Sequence, residues 1–229
     1  WKVKLVVQLI VASIIIYRFL GEIASVSFFN SNLNFSTAIL IAVFFIWFVG
    51  ILNAVNLIDG MDGLAGGFMM LITVFSMIIG FINEANPFLT LNASLLGVLT
   101  GFLLFNRNPA RYFMGDSGSL LLGYHVACLP LLYHQSMNGG AILQITPFLI
   151  LSSFLIMDTT RVFFSRAMSR QNPMNADTIH LHHLVFKETK SYVGTLIPIF
   201  VVTLITGVGA VLFFQYGFGF LAMQLFLLV

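Results

Sequence analysis

Charged residues are scarce in this chain. Lysine, arginine, aspartate and glutamate make up 8% of its 229 residues, whereas hydrophobic residues make up 59%. A water-soluble domain carries about 25% charged residues, so this composition excludes a soluble globular protein. The single cysteine, Cys128, excludes a disulfide framework and a cysteine metal centre. No nucleic-acid partner is expected.

Long apolar runs take the place of the missing charges. Because about 20 apolar residues cross the hydrocarbon of a bilayer, each run predicts a membrane helix. The runs are Val3–Leu20, Phe35–Asn53, Leu64–Ile82, Phe88–Phe105, Ser119–Leu132, Ile142–Met157, Tyr192–Leu212 and Tyr216–Val229. They lack the alternation of membrane strands, so strands are not expected. The sequence predicts an all-α polytopic bundle of about eight helices, forming a single integral membrane domain over residues 1–229.

The charges that remain are sorted between the two sides of the membrane. If the helices cross alternately, nine of the ten lysines and arginines fall on one side, and only Arg18 falls on the other. The positive-inside rule makes the basic side cytoplasmic. Every aspartate lies on that same side. This sorting predicts a cytoplasmic-face site for an anionic substrate and a metal ion.

One stretch places polar residues at the end of a membrane run. In residues 53–67, here called the aspartate motif, Asn53, Asn56, Asp59 and Asp62 recur at every third position, and glycines follow closely. Glycines let the helix end or tighten there, so the four side chains can form a polar, acidic cup. Carboxylates beside hydrocarbon indicate a functional site. The alternative is a plain interhelical turn, because Asp-Gly is a common turn dipeptide.

A second polar stretch covers residues 105–119, here called the glycine–aspartate motif. Gly115 and Gly118 flank Asp116 just before an apolar run. A carboxylate held there suits Mg²⁺, which binds one or two carboxylates together with substrate phosphates. The alternative is a helix cap with no ligand. Arg107 and Arg111 bind phosphate or anchor the helix at the lipid headgroups, and the sequence leaves both interpretations open.

The longest cytoplasmic loop is predicted over Asp158–Ser191. This loop includes the histidine motif, which contains His180, His182 and His183. Three histidines in four residues favour metal binding, proton transfer or phosphate contacts. Arginines of the same loop could clamp a diphosphate through paired hydrogen bonds. A basic loop facing anionic lipid would explain the arginines, but it would not explain the histidines.

Together the three motifs resemble the polyprenyl-phosphate N-acetylhexosamine-1-phosphate transferases, which are of the glycosyltransferase family 4 type. The resemblance implies transfer of a sugar-1-phosphate from a UDP-N-acetylhexosamine, UDP-GlcNAc above all, to undecaprenyl phosphate. The products are a lipid-linked sugar pyrophosphate and UMP. The resemblance also implies a Mg²⁺ cofactor, with Mn²⁺ as an alternative, and a multi-pass protein of the bacterial inner membrane. Such an enzyme begins a cell-envelope polysaccharide such as O-antigen, and a homodimer is an open expectation.

The resemblance also implies a role for individual residues. Asp116 matches the metal ligand of the family, and Asn56 is a second candidate ligand. The residues that match its catalytic groups are Asp59, Asp62, His180, His182 and His183. The candidates for substrate contacts are Asn53, Asn106, Arg166 and Arg170. Direct attack by the lipid phosphate is favoured over a covalent aspartyl intermediate, because that phosphate is already an anionic nucleophile.

Three departures from the family pattern qualify these expectations. Family members carry an Asp-Asp pair upstream of the first helix, and this chain has none. A fragment that lacks the N-terminal helices, and is inactive by itself, is therefore expected. Thr178 stands where the family has a cation, which puts one phosphate contact in doubt. Leu181 separates the first two histidines, which favours the GlcNAc-1-phosphate branch over the phospho-MurNAc-pentapeptide branch. A membrane transporter and a non-catalytic scaffold are the rival classes.

Overall fold

A computed structural model of the chain describes residues 2–23, 25–137, 139–168 and 180–217. The elements in these ranges are α1 Lys2–Phe19, β1 Ser25–Phe28, β2 Ser31–Leu33, α2 Thr37–Ile58, α3 Leu64–Ile82, α4 Asn86–Asn106, α5 Gly115–Ser136, β3 Ile142–Gln144, α6 Thr146–Leu151, α7 Ser153–Met168, α8 Leu181–Thr189 and α9 Tyr192–Tyr216. Helices dominate, so the predicted all-α membrane bundle is confirmed.

Four of the described helices are long and apolar enough to cross a membrane. They are α2, α3, α4 and α9. The first predicted run forms α1, which carries lysines at its start and Arg18 in its last turn. The run predicted at Ser119–Leu132 forms the longer and less apolar α5. Beyond Gly217, the run predicted at Tyr216–Val229 lies outside the described residues.

The prediction of one helix over Ile142–Met157 is wrong. Its first residues form β3, which pairs in parallel with β1, and the rest divides into α6 and α7. Strand pairing satisfies the backbone of residues 142–144, and Pro147 lies in the first turn of α6, where proline is well tolerated. Helix α7 then continues to Met168. Asp158 and Arg161 are therefore helical, and the predicted long loop starts too early.

Three short strands form a small sheet that the sequence does not predict. Its order is β2-β1-β3. Buried Thr146 fastens the sheet to α6, because its hydroxyl accepts from the Phe29 amide at 2.9 Å and donates to the Ser27 carbonyl at 3.3 Å. Asn30, in the β1–β2 turn, donates to the Gly217 carbonyl just after α9. The sheet therefore closes the end of the bundle where α1 and α9 finish.

Helix α2 lies in the middle of the bundle and packs against α1, α5 and α7. The approach of α5 is close, because a Cβ atom added to Gly123 would lie 2.9 Å from the Leu52 Cα atom. In the same interface, Trp47 Nε1 donates to the Ala127 carbonyl at 2.9 Å. This packing brings the last turn of α2 beside the first turn of α5. The aspartate motif and the glycine–aspartate motif therefore meet at one end of the bundle.

Candidate functional site

The aspartate motif turns the chain sharply from α2 into α3. Asp59 is the residue after α2, and Gly63 has a φ of +69°, a value that glycine adopts without strain. The Gly63 amide donates to Asn106 Oδ1 at 2.9 Å. This turn presents Asp59 and Asp62 at the same end of the bundle as the start of α5.

Asn106 holds two chain segments together. It is 4% exposed, accepts from Gly63 and donates to the Tyr112 carbonyl at 2.7 Å. Both polar ends of its side chain are thus engaged within the protein. Its predicted contact with substrate stays a prediction, while its contacts here join the α2–α3 turn to the loop after α4.

Asp62 fastens that same loop. Its Oδ2 atom accepts from Asn108 Nδ2 and from the Ala110 amide, each at 3.0 Å. The hydroxyl of Tyr192, at the start of α9, donates to the Asp62 backbone carbonyl. Tyr192 is a positioning residue that the sequence analysis missed, because no motif marks a tyrosine 130 residues away from its partner.

Asp116 belongs to a cluster with Asn56 and Lys4. Asn56 Nδ2 donates to Asp116 Oδ1 at 2.9 Å, and Lys4 Nζ lies 3.6 Å from Asp116 Oδ2. The hydrogen bond from Asn56, followed by the charge of Lys4, lowers the pKa of the exposed Asp116 carboxyl. The sequence alone does not point to Lys4, because a lysine at a helix start is an ordinary membrane anchor.

Asp59 shares a pocket with this cluster. The pocket has a volume of about 300 Å³, and Asn56, Asp59 and Asp116 are among its lining residues. Burial, followed by the negative charge of Asp116, raises the pKa of the Asp59 carboxyl. Within the described ranges, no hydrogen bond to that carboxylate is present. The Asp59 carboxylate is therefore available to a ligand.

The donor set of the pocket fits an open Mg²⁺ site. In the part of the chain that the structure describes, no three His, Cys, Asp or Glu side chains come together as a closed metal site. Mg²⁺ does not require one, because it keeps several water ligands and binds one or two carboxylates together with substrate phosphates. Asp116, Asp59 and the Asn56 oxygen are oxygen ligands of that kind. The predicted metal ligands are thus brought together, and the identity of the metal stays a prediction.

The histidine motif is held in place by Asp158. Asp158 Oδ2 accepts from His180 Nδ1 at 2.8 Å, and Oδ1 accepts from the Leu181 amide and from Arg161 Nη2, each at 2.9 Å. One carboxylate thus caps α8 and orients both a histidine and an arginine. The sequence marks Asp158 only as the start of the predicted loop and points to no role for it in the site.

His182 brings the histidine motif against the aspartate motif. It is 2% exposed, and a Cβ atom added to Gly60 would lie 2.5 Å from its Nε2 atom. Burial, followed by the charges of His183 and His180, lowers the pKa of His182 to about 4, so its ring is neutral at pH 7. Among the described residues, the buried Nε2 atoms of His180 and His182 have no hydrogen-bond partner. Such atoms mark a place where a ligand or water would be favourable.

The remaining predicted residues lie at the edge of this arrangement. Asn53 exchanges hydrogen bonds of 3.1 and 3.3 Å with Gln8, which joins α1 to α2. Arg166 is 6% exposed near the end of α7 and does not line the pocket of Asp59. Arg170 lies outside the described residues. The substrate contacts predicted for these three residues stay predictions.

Comparison with known proteins gives consistent results. A family model described as glycosyl transferase family 4 matches residues 1–134. A probable undecaprenyl-phosphate N-acetylglucosaminyl 1-phosphate transferase of Bacillus subtilis is 33% identical over 213 residues, covering 92% of this chain and 58% of that protein. A phospho-N-acetylmuramoyl-pentapeptide-transferase of Listeria innocua is 32% identical over 174 residues, covering 73% of this chain and 51% of its own length. The protein of that name from Clostridium perfringens is 39% identical over 132 residues, covering 56% and 41%. The chain thus spans about half the length of the curated relatives that it matches.

Proposed function

The chain belongs to glycosyl transferase family 4, and we propose from this that the complete protein transfers an N-acetylhexosamine-1-phosphate from a UDP-sugar to undecaprenyl phosphate. UDP-GlcNAc is the proposed donor, and the products are a lipid-linked sugar pyrophosphate and UMP. One observation carries the proposal: Asp59, Asn56 and Asp116 line one pocket. The buried His182 lies against the turn that forms this pocket.

The proposed chemistry joins two anionic groups. An oxygen of the lipid phosphate attacks the β-phosphorus of the UDP-sugar, the bond from that phosphorus to the bridging oxygen breaks, and UMP leaves with the electron pair. Catalysis of this kind depends on positioning and on neutralising negative charge. Direct attack remains the preferred route, because the lipid phosphate needs no aspartyl intermediate to become nucleophilic.

The residues of the pocket can divide this work. Mg²⁺ bound by Asp116, Asn56 and Asp59 would supply charge neutralisation at the diphosphate. The neutral His182 can donate or accept one hydrogen bond, and His180 is oriented by Asp158. Asp62 and Asn106 join the α2–α3 turn to the end of α4 and the loop after it through hydrogen bonds. The proposal places the site at the cytoplasmic face of the bacterial inner membrane, because the basic side chains gather at this end.

A second candidate is transfer of phospho-N-acetylmuramoyl-pentapeptide. It is supported by the relatives with that name, whose identities of 32% and 39% are comparable to that of the GlcNAc-1-phosphate relative. Leu181 favours the GlcNAc branch, since it interrupts the row of histidines. The two candidates differ only in the group that the UDP-sugar carries, so one assay separates them.

The deciding experiment is transfer of label from radioactive UDP-sugars to an extractable lipid. The complete gene product would be assayed in membranes with undecaprenyl phosphate and Mg²⁺. The donors would be UDP-GlcNAc, UDP-GalNAc, a 6-deoxy analogue and UDP-MurNAc-pentapeptide. We expect labelled lipid with UDP-GlcNAc, at least about 100-fold less in Asp116→Asn, and unchanged transfer in Glu188→Gln, which removes an exposed acid of α8. Transfer with UDP-MurNAc-pentapeptide alone would establish the second candidate. No transfer with any donor by folded protein would favour the transporter or the scaffold.

A further inference from the structure

Lys4 contacts two of the residues that are proposed to bind the metal cation. Its Nζ atom lies 2.5 Å from Asn56 Oδ1 and 3.6 Å from Asp116 Oδ2. We propose that the Lys4 ammonium and a divalent cation bind Asn56 and Asp116 in turn, so that Lys4 keeps the metal ligands in place until the cation replaces it. This inference rests on the proposed function, which assigns the metal to Asp116.

The orientation of Asn56 is the first argument. Its Nδ2 atom donates to Asp116 Oδ1 at 2.9 Å and to Ser119 Oγ at 2.8 Å. Both N–H groups are thereby used, so the amide oxygen is the atom left to face the pocket. The positively charged Lys4 ammonium donates a hydrogen bond to that oxygen. An amide oxygen beside a carboxylate is also a pair of oxygen ligands that Mg²⁺ can bind.

Charge and space make the two cations mutually exclusive. Mg²⁺ binds oxygen at about 2.0–2.1 Å, and an ammonium group 2.5 Å from the same oxygen fills that coordination position. A singly and a doubly charged cation on the same two ligands would also repel each other. The side chain of Lys4 is 26% exposed and that of Asp116 is 77% exposed. The ammonium therefore has room to leave on its flexible four-carbon stem.

Mn²⁺ binding, followed by electron paramagnetic resonance without substrates, tests the exchange directly. The complete gene product in detergent would be compared with Lys4→Met and Lys4→Arg. We expect Lys4→Met to bind Mn²⁺ about threefold to tenfold more tightly, because the competing charge is gone. Lys4→Arg should bind no more tightly than the unaltered protein. Lys187→Met removes an exposed lysine of α8 and should change Kd less than about twofold.

One result would overturn the exchange between Lys4 and the metal, and another would overturn the assignment of the metal to Asp116. Equal or weaker Mn²⁺ binding by Lys4→Met, with an unaltered melting temperature, would show that Lys4 supports the metal site instead of competing for it. Binding by Asp116→Asn at the unaltered affinity would reject the metal assignment and hence the exchange. Lys4→Gln repeats the measurement with a neutral polar side chain if Lys4→Met does not fold.

Discussion

At the scale of single residues, the predicted polar side chains do more than face a ligand. Asn106 and Asp62 form hydrogen bonds with the loops around the pocket, whereas the Asp59 carboxylate forms none within the described ranges. A motif in sequence shows only that these residue types recur. The structure shows in addition which of them hydrogen-bond within the protein, while the catalytic role of Asp62 and the substrate contact of Asn106 stay predictions.

Gly60 is the residue whose size matters most for the contact between motifs. Gly60→Ala would place a Cβ atom 2.5 Å from His182 Nε2, so the ring must shift. We expect sugar-phosphate transfer to fall by about tenfold or more, because small displacements of a positioned group are costly. The assay is lipid extraction of labelled product. Gly101→Ala, on the exposed face of α4 with nothing within 4 Å of the new methyl group, is the matched control and should transfer normally.

Two substitutions of Asp158 can separate its two roles, which are to cap α8 and to orient His180. Asp158→Ala removes the acceptor for Leu181, Arg161 and His180, and should lower both the melting temperature and transfer, the latter by about 100-fold. Asp158→Asn still accepts from the Leu181 amide but offers an N–H toward His180 Nδ1. We therefore expect Asp158→Asn to keep its melting temperature and lose activity. Unaltered transfer by Asp158→Asn would refute an orienting role.

At the scale of elements, the sheet and the broken helix show tertiary contacts overriding an apolar pattern. Residues 142–157 have the composition of a membrane helix, yet the first three pair with β1. The strand partner lies more than a hundred residues earlier in the chain, so no local sequence pattern predicts the pairing. The result is that α7 runs on to Met168 and carries Asp158 to the histidine motif.

Thr146 should be a measurable anchor of the sheet. Thr146→Val leaves the Phe29 amide without its acceptor and removes one of the two donors to the Ser27 carbonyl, which costs about 1 to 3 kcal/mol. We expect a lower apparent melting temperature in detergent, with transfer retained at low temperature because the sheet lies at the far end of the bundle. Thr100→Val removes an exposed hydroxyl from α4 and is the control. An unchanged melting temperature for Thr146→Val would mean that the sheet adds no stability.

At the scale of the whole molecule, the three sequence motifs come together at one end of the bundle. Hydrogen bonds link α1 to α2, α2 to α5, and α9 to the α2–α3 turn at the same end of the bundle. Basic side chains gather there too, at Lys4, Arg107, Arg111, Lys187 and Lys190, whereas Arg18 ends α1 at the opposite side. The basic side chains and the three polar motifs thus lie at the same end of the bundle.

The orientation of the bundle can be tested with single cysteines, because the natural Cys128 is buried. Asn86→Cys and Glu188→Cys place exposed thiols at opposite ends of the bundle. A membrane-impermeant maleimide added to spheroplasts should label Asn86→Cys, and should label Glu188→Cys only after the membrane is opened, because the basic end faces the cytoplasm. The reverse pattern would contradict the proposed cytoplasmic site.

The sequence alone was enough to predict the fold class and most of the residues that line the candidate pocket, whereas the cytoplasmic position of the site stays a prediction. It could do so because hydrophobic run length, charge sorting and motif spacing are local properties of the chain. The packing of the helices and strands brings Lys4, Tyr192 and Asp158 against the motif residues and makes residues 142–144 a strand. Each of these depends on a partner far away in sequence, and such pairing follows from how the helices pack, which no local pattern records.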